Sequence, residues 1–401
     1  MRLQPVLAGV VTALVGFSSA FAVVLTGLRA AGADERQAAS GLLMLCLTCG
    51  LVTLVLGLRH RIPISIAWST PGAALLISTG APAAGFPAAV GAFLACGVLV
   101  VVAGLVPAVG RLIELIPVPI ASAMLAGVLV ELCLAPVRAL AEVPLLAGPV
   151  IAVWALVGRL ARTWAVPAAL AVAAVAIALT GPGLGDVALA PALVWTTPTF
   201  DLATVVGVGI PLFLVTMASQ NVPGAAVLAQ YGYCAPMRPI LATTGLATIV
   251  CAPFGGHAVN LAAISAALAA GPDAHPDPRK RWVASVTAGI GLAVLGLGAG
   301  LAAALLVLSP PVLIEAVAGL ALLGALAGAL SSAVAEPERR EAAAITFVVT
   351  AAGVGFLGIG AAFWGLLAGV GVSLLHRRAQ AKPITSQARG AGRTARPAGH
   401  S

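Results

Sequence analysis

Charge is what this sequence has least of. Only 8% of its 401 residues are Asp, Glu, Lys or Arg, against about 25% in an ordinary soluble domain. Its 21 basic and 13 acidic side chains cannot cover a soluble surface on a chain this long. Soluble, fibrous and disordered classes are therefore excluded, and lipid is the main solvent. Aromatics are also scarce, at 4%. An outer-membrane barrel needs aromatic girdles, so the 46 glycines point instead to helices packed through small residues. Cysteines are few, and Cys46 and Cys49 form the one C-x-x-C. It lies mid-span with no second pair and no nearby histidine, which argues against zinc, redox use or a disulfide. Catalytic motifs are missing too: there is no G-x-S-x-G, no H-E-x-x-H and no intramembrane aspartate pair. An enzyme would have to pair Ser18, Ser19 or Ser219 with His257, so neither an enzyme nor a cofactor is expected.

What is present is 61% hydrophobic sequence, arranged in runs near the roughly 20 residues a spanning helix needs. The runs predict spans at 6–28, 40–58, 64–79, 86–107, 117–136, 144–158, 163–180, 202–221, 238–252, 254–270, 282–307, 310–333, 342–358 and 360–376. Ala20-Phe21-Ala22 resembles a signal cleavage site, but the apolar run continues to Leu28, so the first run reads as a retained span. The expectation is an all-α polytopic protein of 14 transmembrane segments. With the N-terminus in the cytoplasm, 18 Lys and Arg fall inside and only Arg29, Arg36 and Arg138 outside, as the positive-inside rule requires. Both ends are then cytoplasmic. The net charge of +8 is no nucleic-acid footprint. The polar stretch from Arg377, read as a disordered tail, carries six basic and no acidic residues and suits an anionic leaflet.

The runs carry traces of a sevenfold offset. Ser18-Ser19 in run 1 is followed by Gly32, as Ser219-Gln220 in run 8 is by Gly232. Pro119 with Ala126-Gly127 in run 5 matches Pro311 with Ala318-Gly319 in run 12. Runs 3 and 10 start at Pro63 and Pro253 and hold polar, small-residue centres. Seven spans is an odd number, so two such halves have opposite orientation.

Polar residues inside the runs mark the chemistry. Residues 62–67 are alternating and β-branched. Pro71 suits a first helical turn with Ser69 or Thr70 as cap. Run 3 therefore predicts an extended piece and then a half-helix starting near mid-bilayer. Run 10 reads the same way: Gly255-Gly256 breaks the helix and Asn260 caps a second half-helix. Irregular backbone at that depth must line a cavity or be buried in protein. Two half-helix N-termini would offer free N–H groups and partial positive charge to an anion, the alternative being two proline-kinked packing helices. Ser219, Gln220 and Asn221 are costly in a membrane unless they meet water, protein or ligand. Ser18 and Ser19 hold the matching place in run 1, and interhelical hydrogen bonding is the alternative for the serines.

Trp68-Ser69-Thr70-Pro71-Gly72-Ala73-Ala74, Pro211 to Asn221, Ala274-His275-Pro276-Asp277 and Gly358 to Leu366 resemble the benzoate/proton symporter (BenE-type) family across essentially all fourteen runs. The resemblance implies import of benzoate or a related aromatic carboxylate with protons. It also implies the fold of nucleobase and sulfate permeases, a 7+7 inverted repeat with discontinuous helices 3 and 10. Residues 1–107 and 202–307 would form a transport core, and 117–180 and 310–376 a gate. The core would slide against the gate in an elevator motion, often in a homodimer. Ser18, Ser19, Trp68, Ser69, Thr70, Pro71, Gly72, Ser219, Gln220, Asn221, Gly256, His257 and Asn260 are the candidate substrate residues. Trp68, Phe213 and Phe254 are candidates to meet the ring.

For the proton, His257 titrates in a useful range. Glu131 either shuttles protons as a buried acid or pairs with Arg138. Glu315 reads as a first-turn carboxylate on the helix dipole, and residues 273–281 as a solvated inner loop. An anion channel, and a carrier of the same fold for another organic anion or a nucleobase, remain the competing readings.

Overall fold

The computed structural model describes residues 3–106, 117–180, 192–262, 264–308, 310–356 and 360–380. The first run is two helices, α1 (Gln4–Ser18) and α2 (Phe21–Ala30). At the break Ser18 Oγ donates to the Leu14 carbonyl (2.6 Å) and Ser19 Oγ to the Gly16 carbonyl (3.3 Å), local bonds that compete with the helical ladder. α3 (Glu35–His60) opens on a capping box. Asp34 accepts from the Gln37 N–H (2.8 Å) and Gln37 from the Asp34 N–H (2.9 Å), which satisfies two end donors reciprocally. Strand β1 (Ile66–Trp68) and α4 (Thr70–Thr79) follow, then α5 (Phe86–Leu105), α6 (Val118–Glu142), α7 (Pro144–Leu160) and α8 (Ala165–Thr180).

The second half begins with α9 (Leu202–Gln230), which contains π-helical turns at Val205–Gly209 and Met217–Asn221. After α10 (Met237–Cys251) come strand β2 (Val259–Leu261) and the seven-residue α11 (Ile264–Ala270). α12 (Trp282–Gly296), α13 (Ala299–Leu308), α14 (Pro311–Ala333), α15 (Arg340–Ala351) and α16 (Ala361–Gln380) complete the chain. Among the described residues eight helices are long and apolar enough to cross a membrane, and Pro144–Leu160 and Ala361–Leu375 are shorter apolar helices. The protein is mostly helical and lives in the bilayer.

Two packing groups emerge. In one, α3 packs on α12, α5 on α10, and α1 on α12. In the other, α6 packs on α14 and α15, α15 on α16, and α7 on α8. Glycines allow the closest crossings of the first group. A Cβ on Gly50 would lie 2.5 Å from the Gly289 carbonyl oxygen, and one on Gly245 would lie 2.8 Å from that of Gly97. The α3–α12 and α5–α10 crossings are thus built alike, glycine against glycine.

Several expectations need correction. The first run is one candidate span, Gln4–Ala30, but with an internal break at Ser19-Ala20. The eighth does not end at Asn221 but continues to Gln230. The eleventh divides between α12 and α13. Glu315 is the fifth residue of α14, beyond its first turn, so it does not cap the helix. The 273–281 loop is not simply solvated. Arg281 is buried, and its guanidinium donates to the carbonyls of His275 (2.7 Å), Ala270 (2.8 Å) and Pro276 (3.4 Å). The Tyr233 hydroxyl donates to the Pro278 carbonyl (2.7 Å), and burial pushes its pKa up. Asp277 accepts from the Arg279 backbone N–H and side chain, which holds its carboxyl below the usual range. Arg2, Arg111, Gly358, Ile359 and the stretch from Ala381 lie outside the described residues.

Candidate functional site

The helical pattern fails where β-branched residues and prolines, or paired glycines, disfavour it. Ile66-Ala67-Trp68 form β1, and Gly255, with φ +91°, turns the chain towards β2. The strands pair antiparallel, Ile66 with Leu261, Ala67 with Asn260 and Trp68 with Val259. One further bond extends the ladder at each end. The Ser69 N–H donates to the Ala258 carbonyl and the Ala262 N–H to the Ser65 carbonyl, both at 2.9 Å. Exchanging the two strands maps this ladder onto itself, with the Ala67–Asn260 pair on the axis.

Asn260 therefore lies inside a strand and does not cap a half-helix. With its amide oxygen towards the Ser69 N–H (3.0 Å) and its nitrogen towards the Leu261 carbonyl (3.1 Å), both of its ends are satisfied. Ser69 does cap α4, its Oγ accepting from the Gly72 N–H at 3.1 Å. Thr216 of α9 donates to the same oxygen at 3.0 Å. Asn221, closing the π turn, is fully buried, and its Oδ1 accepts from the Leu261 N–H at 2.9 Å. π-helical turns are rare and favour functional sites. This one joins α9 to β2 through Asn221, and Thr216, the residue before it, reaches the α4 cap.

Ser18, Ser19, Thr70, Ser219 and Gln220 are half-buried beside this frame, whereas Pro71 and Gly72 are buried in it. The serines do not bridge helices. Ser219 Oγ donates to the Val215 carbonyl of its own helix (2.5 Å), as Ser18 does within α1. Phe17, immediately before the serine pair, stacks on Phe21 with centroids 5.2 Å apart. It also meets Trp68 edge-on at 6.2 Å. An aromatic wall, half-buried at Phe17 and buried at Phe21 and Trp68, thus stands next to the capped start of α4. The elements α1, β1, α4, α9 and β2 contain no Lys or Arg, so attraction for an anion would come from amides, hydroxyls and the helix end.

The remaining candidates sit elsewhere. Gly256 packs on Cys251, and His257 is fully buried with its ring edge-on to Phe93, 6.5 Å away. Neither His257 nitrogen meets hydrogen-bond geometry with a partner among the described residues. Phe254 pairs with Trp195 rather than with the strand frame. Phe213 is buried. Glu131 stands exposed on α6, in a 2.6 Å ion pair with Arg138, the pairing alternative of its two readings. Sequence reasoning missed Phe17, Thr216, and Ser265 of α11, whose Oγ lies close to Gly16. It also missed Thr53 and Thr248. Single hydroxyls and one phenylalanine in apolar helices carry no pattern of their own. The serine pair next to Phe17 was the one usable signal.

Comparison with known proteins places this geometry among transporters. The family described as BenE, Benzoate membrane transport protein, matches residues 1–375. The chain is 40% identical over 365 residues to "Inner membrane protein YdcO" of Escherichia coli (strain K12), covering 90% of this chain and 93% of that one. It is 30% identical over 371 residues to "Benzoate membrane transport protein" of Acinetobacter baylyi, covering 92% and 94%. In fold it is similar to the transmembrane domain of a cyanobacterial bicarbonate transporter, BicA, with TM-score 0.55, 14% identity and coverage of 93% and 96%. It is also similar to SLC26A9, with TM-score 0.58, 15% identity and coverage of 92% and 65%.

Proposed function

This chain belongs to the BenE family of benzoate membrane transport proteins, and from that premise we propose that it imports benzoate, or a closely related aromatic carboxylate, together with protons. The observation that carries the reading is the juxtaposition at the crossing strands. The capped N-terminus of α4 and the hydroxyls of Ser18, Ser19, Ser219 and Thr216 suit a carboxylate, and the Phe17–Trp68 wall beside them suits its ring. A carboxylate would compete with the carbonyls of their own helices for the serine O–H groups. Without a fixed cation the anion is held loosely enough to be released.

The proposal extends to architecture. Fourteen spans in a 7+7 inverted repeat are supported by the self-mapping strand ladder and the twin glycine crossings. A core of residues 1–107 and 202–307 moving against a gate of 117–180 and 310–376 is supported by the two packing groups. An inner-membrane location accords with the Escherichia coli relative's description, and cytoplasmic termini with the Lys and Arg distribution. A homodimer is part of the same reading. His257 is the preferred proton carrier, because neither ring nitrogen meets full hydrogen-bond geometry with a partner among the described residues, while Glu131 is already paired.

The test is uptake of labelled benzoate into proteoliposomes with and without an inward proton gradient. Accumulation driven by the gradient, and inhibited by other aromatic acids, is expected. Absence of uptake would overturn the substrate, and uptake that never exceeds equilibrium would turn the carrier into a channel. Competition by nucleobases or aliphatic anions, with none by aromatic acids, would reassign the substrate class.

A further inference from the structure

A sheet of two three-residue strands at membrane depth has outer edges that no water can satisfy. Two threonines meet that demand, one from each side. Thr53 of α3 accepts the Ile66 N–H through Oγ1 at 3.0 Å. Thr248 of α10 accepts the Val259 N–H through Oγ1 at 2.9 Å. Both are buried, at 2% and 0% exposure. The Thr248 hydroxyl gives its own proton to the Thr244 carbonyl (2.9 Å), which aims a lone pair at the strand.

The two bonds are the same device used twice. Ile66 and Val259 exchange under the symmetry of the strand ladder. Thr53 stands three residues after Gly50, and Thr248 three residues after Gly245, so each shares a helix face with its glycine. Those glycines hold α3 against α12 and α10 against α5 by backbone contact. Each hydroxyl therefore ties the start of a strand to the most closely packed point of a long helix. Three residues further along lie Ser69, the α4 cap, and Ala262, its counterpart before α11.

We propose that Thr53 and Thr248 are twin positioning residues, hydroxyl clamps that set the crossing strands and thereby the site at the start of α4. They touch no substrate. The proposal rests on the transport reading above for its kinetic part only. Its structural part stands on the hydrogen bonds.

The experiment uses the full-length chain with Thr53→Val, Thr248→Val, and the Thr→Ser change at each position. Valine keeps the shape and removes the acceptor, while serine restores it. Hydrogen–deuterium exchange is followed in peptides spanning 62–69 and 255–262, and labelled benzoate uptake is measured in proteoliposomes. Each valine variant is expected to exchange its own strand's amide about tenfold faster and to raise KM about tenfold, the size of a lost buried hydrogen bond. The maximal rate should stay within about twofold, and serine should recover both values. Thr→Ala at either position provides a second test of the same sign if a valine variant does not fold. Unchanged exchange would overturn the clamp. Faster exchange with unchanged KM would overturn the positioning role and leave a structural one. If the unaltered chain takes up no benzoate, the substrate reading fails, and the exchange measurement decides the clamp alone.

Discussion

Removing the Asn221 amide tests the link between α9 and β2. Asn221 is fully buried, and its Oδ1 accepts the Leu261 N–H at 2.9 Å. Among the described residues its nitrogen donates to the Met217 sulfur, at 3.3 Å, a weak acceptor. In Asn221→Ala the Leu261 N–H loses its partner at a depth without bulk water, and an orphaned buried donor costs about 1–3 kcal/mol. The deletion also frees space near the roughly 30 Å³ share of one water molecule, and a water there recovers part of the loss. A net penalty of about 1–2 kcal/mol follows. Carried wholly into substrate affinity, at 1.4 kcal/mol for each tenfold, that is a rise in KM of about 5- to 30-fold. The assay is the concentration dependence of benzoate uptake at a fixed inward proton gradient. Asn221→Asp keeps the acceptor but adds negative charge beside the proposed anion, and should be worse than alanine. An unchanged KM in Asn221→Ala would refute the claim that this bond holds β2 in its working position.

Three further outcomes follow from the same geometry. Gly50→Ala sets a methyl group 2.5 Å from a backbone oxygen that cannot move aside, so thermal stability in detergent should fall by about 1–3 kcal/mol; an unaltered midpoint would refute the close crossing. Arg281→Lys cannot serve the three carbonyls that the guanidinium bonds. Amide exchange across residues 270–281 should rise, and protection equal to that of the unaltered chain would dismiss Arg281 as the anchor of this loop. His257→Gln should abolish proton-driven accumulation yet retain benzoate counterflow, while Glu131→Gln should retain both. Accumulation surviving in the His257 variant would remove it as the proton carrier.

Much of the molecule was legible in the chain because membrane helices announce themselves by length and apolarity alone. Apolar helices, an extended piece ahead of Ser69 and the Ser69 cap all follow from nearest-neighbour chemistry; the structure has the helices and the cap, and sets the strand at Ile66–Trp68 rather than over 62–67. Asn260 was misread because a polar residue after a glycine pair looks the same as a cap or as a strand residue. The choice between them was made by β1, almost two hundred positions away in sequence. The break at Ser18-Ser19 had a visible cause, but its consequence, placing Phe17 against Trp68, did not. Arg281 looked like one more loop cation, and only the fold turned it inwards onto three carbonyls.

The sequence by itself determined the solvent, the apolar and helical character of the chain, and the failure of helix around 62–69 and 253–262. These depend on composition and on residues a few positions apart. The tertiary structure alone decided what meets at those failures: Thr53 with Ile66, Thr248 with Val259, Asn221 with Leu261, and Thr216 with Ser69. In a bilayer interior every such backbone group must find a partner. Those partners come from the preceding helix, as with Thr53 and Thr248, or from a more distant one, as with Asn221, because an extended strand cannot pair its own backbone groups.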